Sequence, residues 1–174
     1  MIQTPRLLLR DFQQDDCQIV LAYQSEPQFC TYYPWNSRTS SDVYDLIGQF
    51  ILWSKEQPRS KFQLAIILKK ENKLIGNCGI RKNTLESLEA EFGCELDPCY
   101  WSQGYAVEAG EAIFDFGFKT LGLQRIFSIC VAANQSAVHL AESLGMKRDD
   151  SWKETKRMKG RSWEMSKYFR NSPT

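Results

Sequence analysis

Two runs of β-forming residues, FQLAIIL at 62–68 and LIGNCGI at 74–80, stand on either side of the polar segment KKENK. Apolar runs of this length joined by a short polar turn predict an antiparallel hairpin. The hairpin places a sheet in the middle of the chain, and the segments flanking it decide the class. Upstream, Leu7 and Leu9 mark a first strand, and Asp15 and Asp16 supply cap chemistry for a short helix to about Gln24. After the Tyr33-Pro34-Trp35 corner, Ser41 is placed to cap a longer helix. Its residues Val43, Leu46, Ile47, Phe50 and Ile51 follow the i, i+3, i+4, i+7, i+8 rule.

Downstream, a loop over 83–89 leads to a strand in EFGCELDP. A helix follows over Tyr105–Leu121, with Ala106, Ala109, Ile113, Phe114 and Phe116 on its inner side and Gly122 as its stop. RIFSICVA (125–132) reads as a strand and Ser136–Leu144 as a short helix ended by Gly145, with tail strands around Trp152 and Trp163–Phe169. No repeat, linker or low-complexity segment interrupts this order. The expected fold is α+β (mixed α/β) around one central sheet, in a single domain over residues 1–174.

A formal net charge of +1 gives no whole-molecule field toward nucleic acid or a membrane, so neither partner is expected. The six cysteines form no CxxC pair and read as reduced thiols. MIQTPRLLLRDF reads as a first strand rather than a signal peptide, and no run of about eighteen apolar residues is present. The expected location is cytoplasmic. An exposed sheet edge in the tail offers a surface for a homodimer.

The stretch EFGCELDPCYWSQGYA (91–106) carries most of the chemistry. A turn that enters a helix through glycine exposes the unpaired N–H groups of the first turn, where the helix dipole adds roughly half a positive charge. Such a terminus binds phosphate. Trp101, Ser102, Gln103, Gly104, Tyr105 and Ala106 are the candidate cradle, the alternative being a tight strand-to-helix turn with no ligand. Neither GxxxxGK[ST] nor GxGxxG occurs. Along the strand, period-two alternation puts Glu91, Gly93 and Glu95 on one face.

The glycine turn resembles the coenzyme A loop of the GNAT acetyltransferase superfamily, Gln/Arg-x-x-Gly-x-Gly/Ala after a strand. Gly104 and Ala106 match it, and Trp101 takes the Gln/Arg position. TPRLLLR, LIGNCGI, EFGCELDP, YWSQGYAVEA, FKTLGLQRI, the Asn134 segment and the late LGM resemble, in order, the branch that includes the ribosomal-protein N-terminal acetyltransferases (RimJ/RimL type). The resemblance implies a twisted mixed sheet whose fourth and fifth strands splay apart to admit the pantetheine arm of acetyl-CoA, with helices on both faces. It implies an acetyl-CoA-dependent N-acetyltransferase. The backbone at Leu96 or Asp97 would hold the thioester, Asn134 would touch the pantetheine arm, and Glu91, or second Glu95, would act as base. Tyr33 and Trp35, with Tyr32, would line the acceptor pocket, the alternative being an aromatic corner of the core.

An amine must be neutral to attack: at pH 7 this costs about 1.4 kcal/mol for an α-amino group of pKa about 8, and over about 4 kcal/mol for a lysine. The resemblance favours a peptide or protein N-terminus as acceptor. The alternatives are a small amine (polyamine, amino acid or aminoglycoside) and a module that binds coenzyme A without catalysis. Three positions depart from the pattern: Ala141 stands where relatives carry a tyrosine acid, Ser136 lies one residue early with Ala137 after it, and Gln103 replaces a basic residue. His139, the single histidine, reads as a surface or phosphate-side residue. From Lys147 to Arg170, nine Lys/Arg against four Asp/Glu leave a local net of +5, an approach surface for phosphates or an acidic substrate if not merely a solvated face.

Overall fold

The computed structural model describes residues 1–173. Nine strands build one sheet: β1 (Ile2–Gln3), β2 (Leu7–Asp11), β3 (Lys61–Leu68), β4 (Lys73–Arg81), β5 (Glu89–Leu96), β6 (Arg125–Val131), β7 (Lys147–Arg148), β8 (Glu154–Met158) and β9 (Arg161–Asn171). Their order is β1-β2-β3-β4-β5-β6-β9-β7, with β8 also paired to β9. Every pairing is antiparallel except β5 with β6. The strands expected as fourth and fifth are therefore β5 and β6, because the N-terminal segment also contributes the short β1.

Helices α1 (Cys17–Gln24), α2 (Pro27–Cys30) and α3 (Ser40–Lys55) cover one face, and α4 (Tyr105–Lys119) and α5 (Gln135–Ser143) the other. The apolar hairpin is buried on both sides, which is why its strands do not alternate with polar residues. Ala65, Ile67 and Leu74 pack with Val20, Val43, Ile47 and Phe50, while Leu64, Ile66 and Ile80 pack with Ile113 and Phe114. Phe92 of β5 meets Phe114 edge-on, with ring centroids 5.0 Å apart.

The structure moves several element details. The α3 cap is Thr39, not Ser41: its side chain accepts from the Asp42 amide while Asp42 reaches back, a capping box. Asp16 does not cap α1. It accepts from the Gln13 amide and forms a two-pronged pair with Arg10, both contacts at 2.8 Å. Lys73 belongs to β4, and the last hairpin starts at Glu154, beyond Trp152. On α4 the fully buried stripe is Tyr105, Ala109, Gly110, Ile113, Phe114 and Gly117, with Ala106 and Phe116 at its margin.

Two features position the site. Gly76 lies opposite Ile66 and Leu74 opposite Ile67, so Ile75 is a bulge in β4, and its carbonyl takes the Asp97 amide at 2.8 Å. More important, β5 and β6 pair only over Glu89–Glu91 and Arg125–Phe127. Past that point β5 stays on β4 through Leu96 and β6 stays on β9 through Val131, so the sheet opens between them.

The first turn of α4 is tied to the chain's beginning. Glu108 accepts from the Thr4 hydroxyl (2.5 Å), the Arg6 amide (2.8 Å) and the Arg6 guanidinium (2.5 Å). Burial alone would raise the Glu108 carboxyl; the Thr4 and Arg6 donors outweigh it and hold it below the ordinary range. A carboxyl depressed in this way contributes stability above its unfolded pKa of about 4.3, and that contribution is lost as pH falls through the folded value. Glu108→Gln is expected to lower stability at pH 7 by about 1–2 kcal/mol. The difference from wild type should shrink below about pH 4, as urea melts across pH will show.

Candidate active site

The turn between β5 and α4 is built by local constraints. Asp97 caps the short 3-10 turn Pro98–Tyr100 through the Cys99 amide. Ser102 (φ 59°) and Gly104 (φ 77°) both take left-handed backbone, which reverses the chain into α4. Gly104 is the N-cap and offers no side chain. The N–H groups of residues 102 to 107 accordingly have no acceptor among the described residues. A row of unpaired amides at the start of a fifteen-residue helix is able to receive a phosphate.

Side chains around the turn depart from expectation. The Trp101 indole donates to the Leu96 carbonyl at 2.8 Å, pinning the loop to the end of β5 rather than facing a phosphate. Gln103 supplies no charge, but Arg6 brings one: its guanidinium donates to the Gln103 carbonyl at 3.0 Å and stacks on Tyr105. Nothing in the local loop sequence signals Arg6, which lies 97 residues away.

The open edge of β5 follows from alternation of backbone groups along a strand. Leu88 accepts from the Gln124 and Arg125 amides on the β6 side, and the Asp97 amide bonds Ile75 on the β4 side. Even-numbered residues from 88 to 96 thus turn their backbone groups toward β6, and Cys94 and Leu96 do so where β6 has departed. Leu96 keeps its expected place at the opening. The Asp97 amide does not, being committed to the bulge in β4.

On the α1–α3 side of β5 a polar cluster interrupts the core. Glu95 Oε1 accepts from Tyr23 OH (2.9 Å), Gln24 Nε2 (2.7 Å) and Asn77 Nδ2 (2.5 Å), and Oε2 accepts from Tyr33 OH (3.1 Å). From Asn77 the bonds run on: Gln63 Nε2 donates to Asn77 Oδ1 (2.5 Å) and Arg81 Nη1 to Gln63 Oε1 (2.6 Å). Arg81 Nη2 lies 3.7 Å from Glu91, so a polar ladder joins the two candidate carboxylates. Gly93 makes room for it, since a Cβ there would stand 3.1 Å from Arg81 Nη2. Glu91 is ion-paired and 41% exposed, whereas Glu95 has four neutral donors and no cation within ion-pair distance among the described residues. The two candidate carboxylates thus stand in different surroundings, one beside a cation and the other among neutral donors.

Burial, and then the Glu95 charge, push the Tyr23 and Tyr33 phenols well above their ordinary values, so both remain donors at neutral pH. Burial likewise pushes the Cys78 thiol up to about 12 and raises Cys94. Both therefore remain protonated thiols at neutral pH. Of the cluster, only Glu95 and Tyr33 were singled out in the sequence. Asn77, a polar residue within LIGNCGI, was the available signal; Tyr23 and Gln24 read only as a helix end.

The loop after α2 straddles the opening. Tyr33 reaches Glu95 on the β5 arm, and Tyr32 OH donates to the Ala133 carbonyl, just past β6, at 3.0 Å. Trp35 packs against Tyr33, the rings tilted by 32° with centroids 4.6 Å apart. Asn134 caps α5, its Oδ1 accepting from the Ala137 amide at 3.2 Å, while its side-chain N–H₂ makes no bond among the described residues. Ser136 lies inside that helix rather than at its cap, Ala141 is buried, and His139 is exposed.

An opened sheet, with a row of unpaired amides at the adjoining helix N-terminus and a carboxylate on the open strand, suits a transferase that draws an acyl group from a coenzyme A thioester. Comparison with known proteins agrees. A family model described as an acetyltransferase (GNAT) domain matches residues 6–147. An uncharacterized N-acetyltransferase, YnaD of Bacillus subtilis, is 32% identical over 168 residues, covering 97% of this chain and 94% of its own. An acetyltransferase (GNAT family) from Bacillus anthracis superposes with TM-score 0.83 at 26% identity, covering 98% of both chains. A spermidine N-acetyltransferase from Vibrio cholerae in complex with CoA and spermine shares the fold, with TM-score 0.80 at 18% identity over 97% of each chain. The chain belongs to the GNAT N-acetyltransferase family, whose acetyl donor is acetyl-CoA. No helix among the described residues is long and apolar enough to cross a membrane.

A side chain at position 104 would be strained by the left-handed backbone and would stand 3.4 Å from Arg6 Nη2. Gly104→Val is expected to weaken coenzyme A binding at least about tenfold, or 1.4 kcal/mol, with the fold retained. Unchanged affinity by calorimetry in a folded variant would remove the cradle from the cofactor site.

Proposed function

We propose that this acetyltransferase modifies an α-amino group at a peptide or protein N-terminus, and that Glu95 holds the incoming ammonium and takes its proton. The observation behind the reading is the Glu95 cluster, a carboxylate with four neutral donors and no cation, beside the opening between β5 and β6. An ammonium supplies the missing charge there. An α-amino group suits this placement because its proton is lost at about 1.4 kcal/mol at pH 7, against over about 4 kcal/mol for an alkylamine.

Other residues take supporting parts. The amides of residues 102 to 107 hold the pyrophosphate of acetyl-CoA, Asn134 meets the pantetheine arm through its unused N–H₂, and the backbone of Cys94 and Leu96 faces the thioester. Bound acetyl-CoA supplies an activated acetyl group. The Leu96 N–H would donate to its carbonyl oxygen, where negative charge gathers as the amine attacks; the C–S bond then breaks, coenzyme A leaves as the thiolate, and the thiolate takes the second proton from the acylated nitrogen, the first having gone to Glu95. Glu91 is linked to Glu95 through Arg81, Gln63 and Asn77, and keeps that ladder in register.

Glu95→Gln is expected to lower kcat/KM for a peptide acceptor by about 10²–10³ near neutrality and to recover in part as the pH is raised and unprotonated amine becomes abundant. Glu91→Gln should cost less than about tenfold, because its carboxylate acts only through its neighbours. Wild-type turnover in Glu95→Gln, or acetylation of no peptide amine by the wild-type protein, would refute the assignment.

A further inference from the structure

We infer that the acceptor carries an anionic group beside its amine, received by Arg38 and Trp35; this rests on the peptide reading above. Among the described residues, three buried side-chain atoms lack any hydrogen-bond partner: Gln24 Oε1, Trp35 Nε1 and Arg38 Nε. All three belong to this face of the site. Leaving such groups unmatched costs about 1–3 kcal/mol each, so their grouping needs a reason.

The atoms divide by sign. Gln24, itself 1% exposed, donates through Nε2 to Glu95 and leaves Oε1 as an acceptor beside the carboxylate. Acceptors side by side suit the several N–H groups of an ammonium. On the other side of Tyr33 the unmatched atoms are both donors. Tyr33 binds Glu95, Trp35 packs against Tyr33 with its ring tilted by 32°, and the Arg38 guanidinium lies 3.8 Å over the Trp35 ring. Arg38 makes no salt bridge within 4.0 Å among the described residues; Asp42 feels its charge from farther off but is committed to the Thr39 capping box. The face is therefore dipolar, acceptors at Glu95 and Gln24 and donors at Trp35 and Arg38, with one aromatic ring between them.

The basic tail noted in the sequence adds to the donor side. Lys159, at the turn of the β8–β9 hairpin, donates to the Cys30 carbonyl at 2.7 Å, which brings that hairpin against the end of α2. Arg161 stacks on Trp163, whose ring meets Tyr32 edge-on. A ligand with several ammonium groups and no anion meets repulsion from this surface, whereas an N-terminus followed by a carboxylate complements both halves.

The test uses the whole protein, acetyl-CoA and three amidated tripeptides, Gly-Asp-Gly, Gly-Asn-Gly and Gly-Lys-Gly. Wild-type kcat/KM should fall in that order, with Asp favoured over Lys by at least about tenfold. Arg38→Gln should bring the Asp to Asn ratio within about twofold, Arg38→Glu should invert the order, and Arg38→Lys should restore part of the preference. Coenzyme A affinity, measured alongside, shows that each variant is folded. Equal use of the three peptides by the wild-type protein, or an unchanged ratio in Arg38→Gln, overturns the inference and leaves the peptide reading in place. Turnover of free aspartate or phosphoethanolamine but of no peptide overturns the peptide reading and upholds the anion. Turnover of spermidine alone overturns both.

Discussion

The site exists because β5 and β6 pair over only three residues each. Parallel strands that continued in register would satisfy each other's backbone and close the sheet. Here each strand follows its other neighbour instead, β5 along β4 and β6 along β9, and both of those antiparallel ladders are long. The opening therefore costs only the hydrogen bonds that β5 and β6 would have exchanged. It exposes polar backbone at the floor of a cleft, where a ligand with amide groups finds partners already oriented.

A second constraint is the treatment of charge on the α1–α3 face. Glu95 sits beside the buried Tyr23, Gln24 and Asn77 without a cation, a placement tolerable only because each carboxylate oxygen is hydrogen-bonded. The donors are themselves locked: Asn77 is 4% exposed and held by Gln63, and the two phenols are kept protonated by burial. Such a network is preorganised, because the carboxylate and its donors already hold one another in place. Gly93 and the ladder to Arg81 show that its far end is packed with equal care.

Much of this was legible in the chain. The apolar hairpin, the Gly122 stop and the glycine turn before α4 are local signals, and the structure places them where those signals point. What escaped depends on contacts remote in sequence. Arg6 joins the phosphate loop from the far end of the chain, and the partners of Glu95 come from α1, β4 and the loop after α2. Period-two alternation put Glu91 and Glu95 on one face but carried no information about which would find a cation, and Arg81 decided that. The Ser41 and Asp16 caps failed for a local reason: in each case a neighbouring residue completed a better-satisfied set of hydrogen bonds.

The strand order has a consequence for how the protein comes into being. Chain synthesis runs from the N-terminus, and β5, β4 and α4 can assemble as soon as they emerge. The β6 arm cannot settle in the same way, because its long ladder is with β9, residues 161–171, at the end of the chain. A nascent chain halted after α5 would hold the glycine turn, the Glu95 cluster and β6 itself, yet lack the β9 ladder that fixes β6 as the second side of the opening. The β6 side of the opening is thus completed only once β9 has emerged, and the loss of β9 would cost more function than its distance from the chemistry suggests.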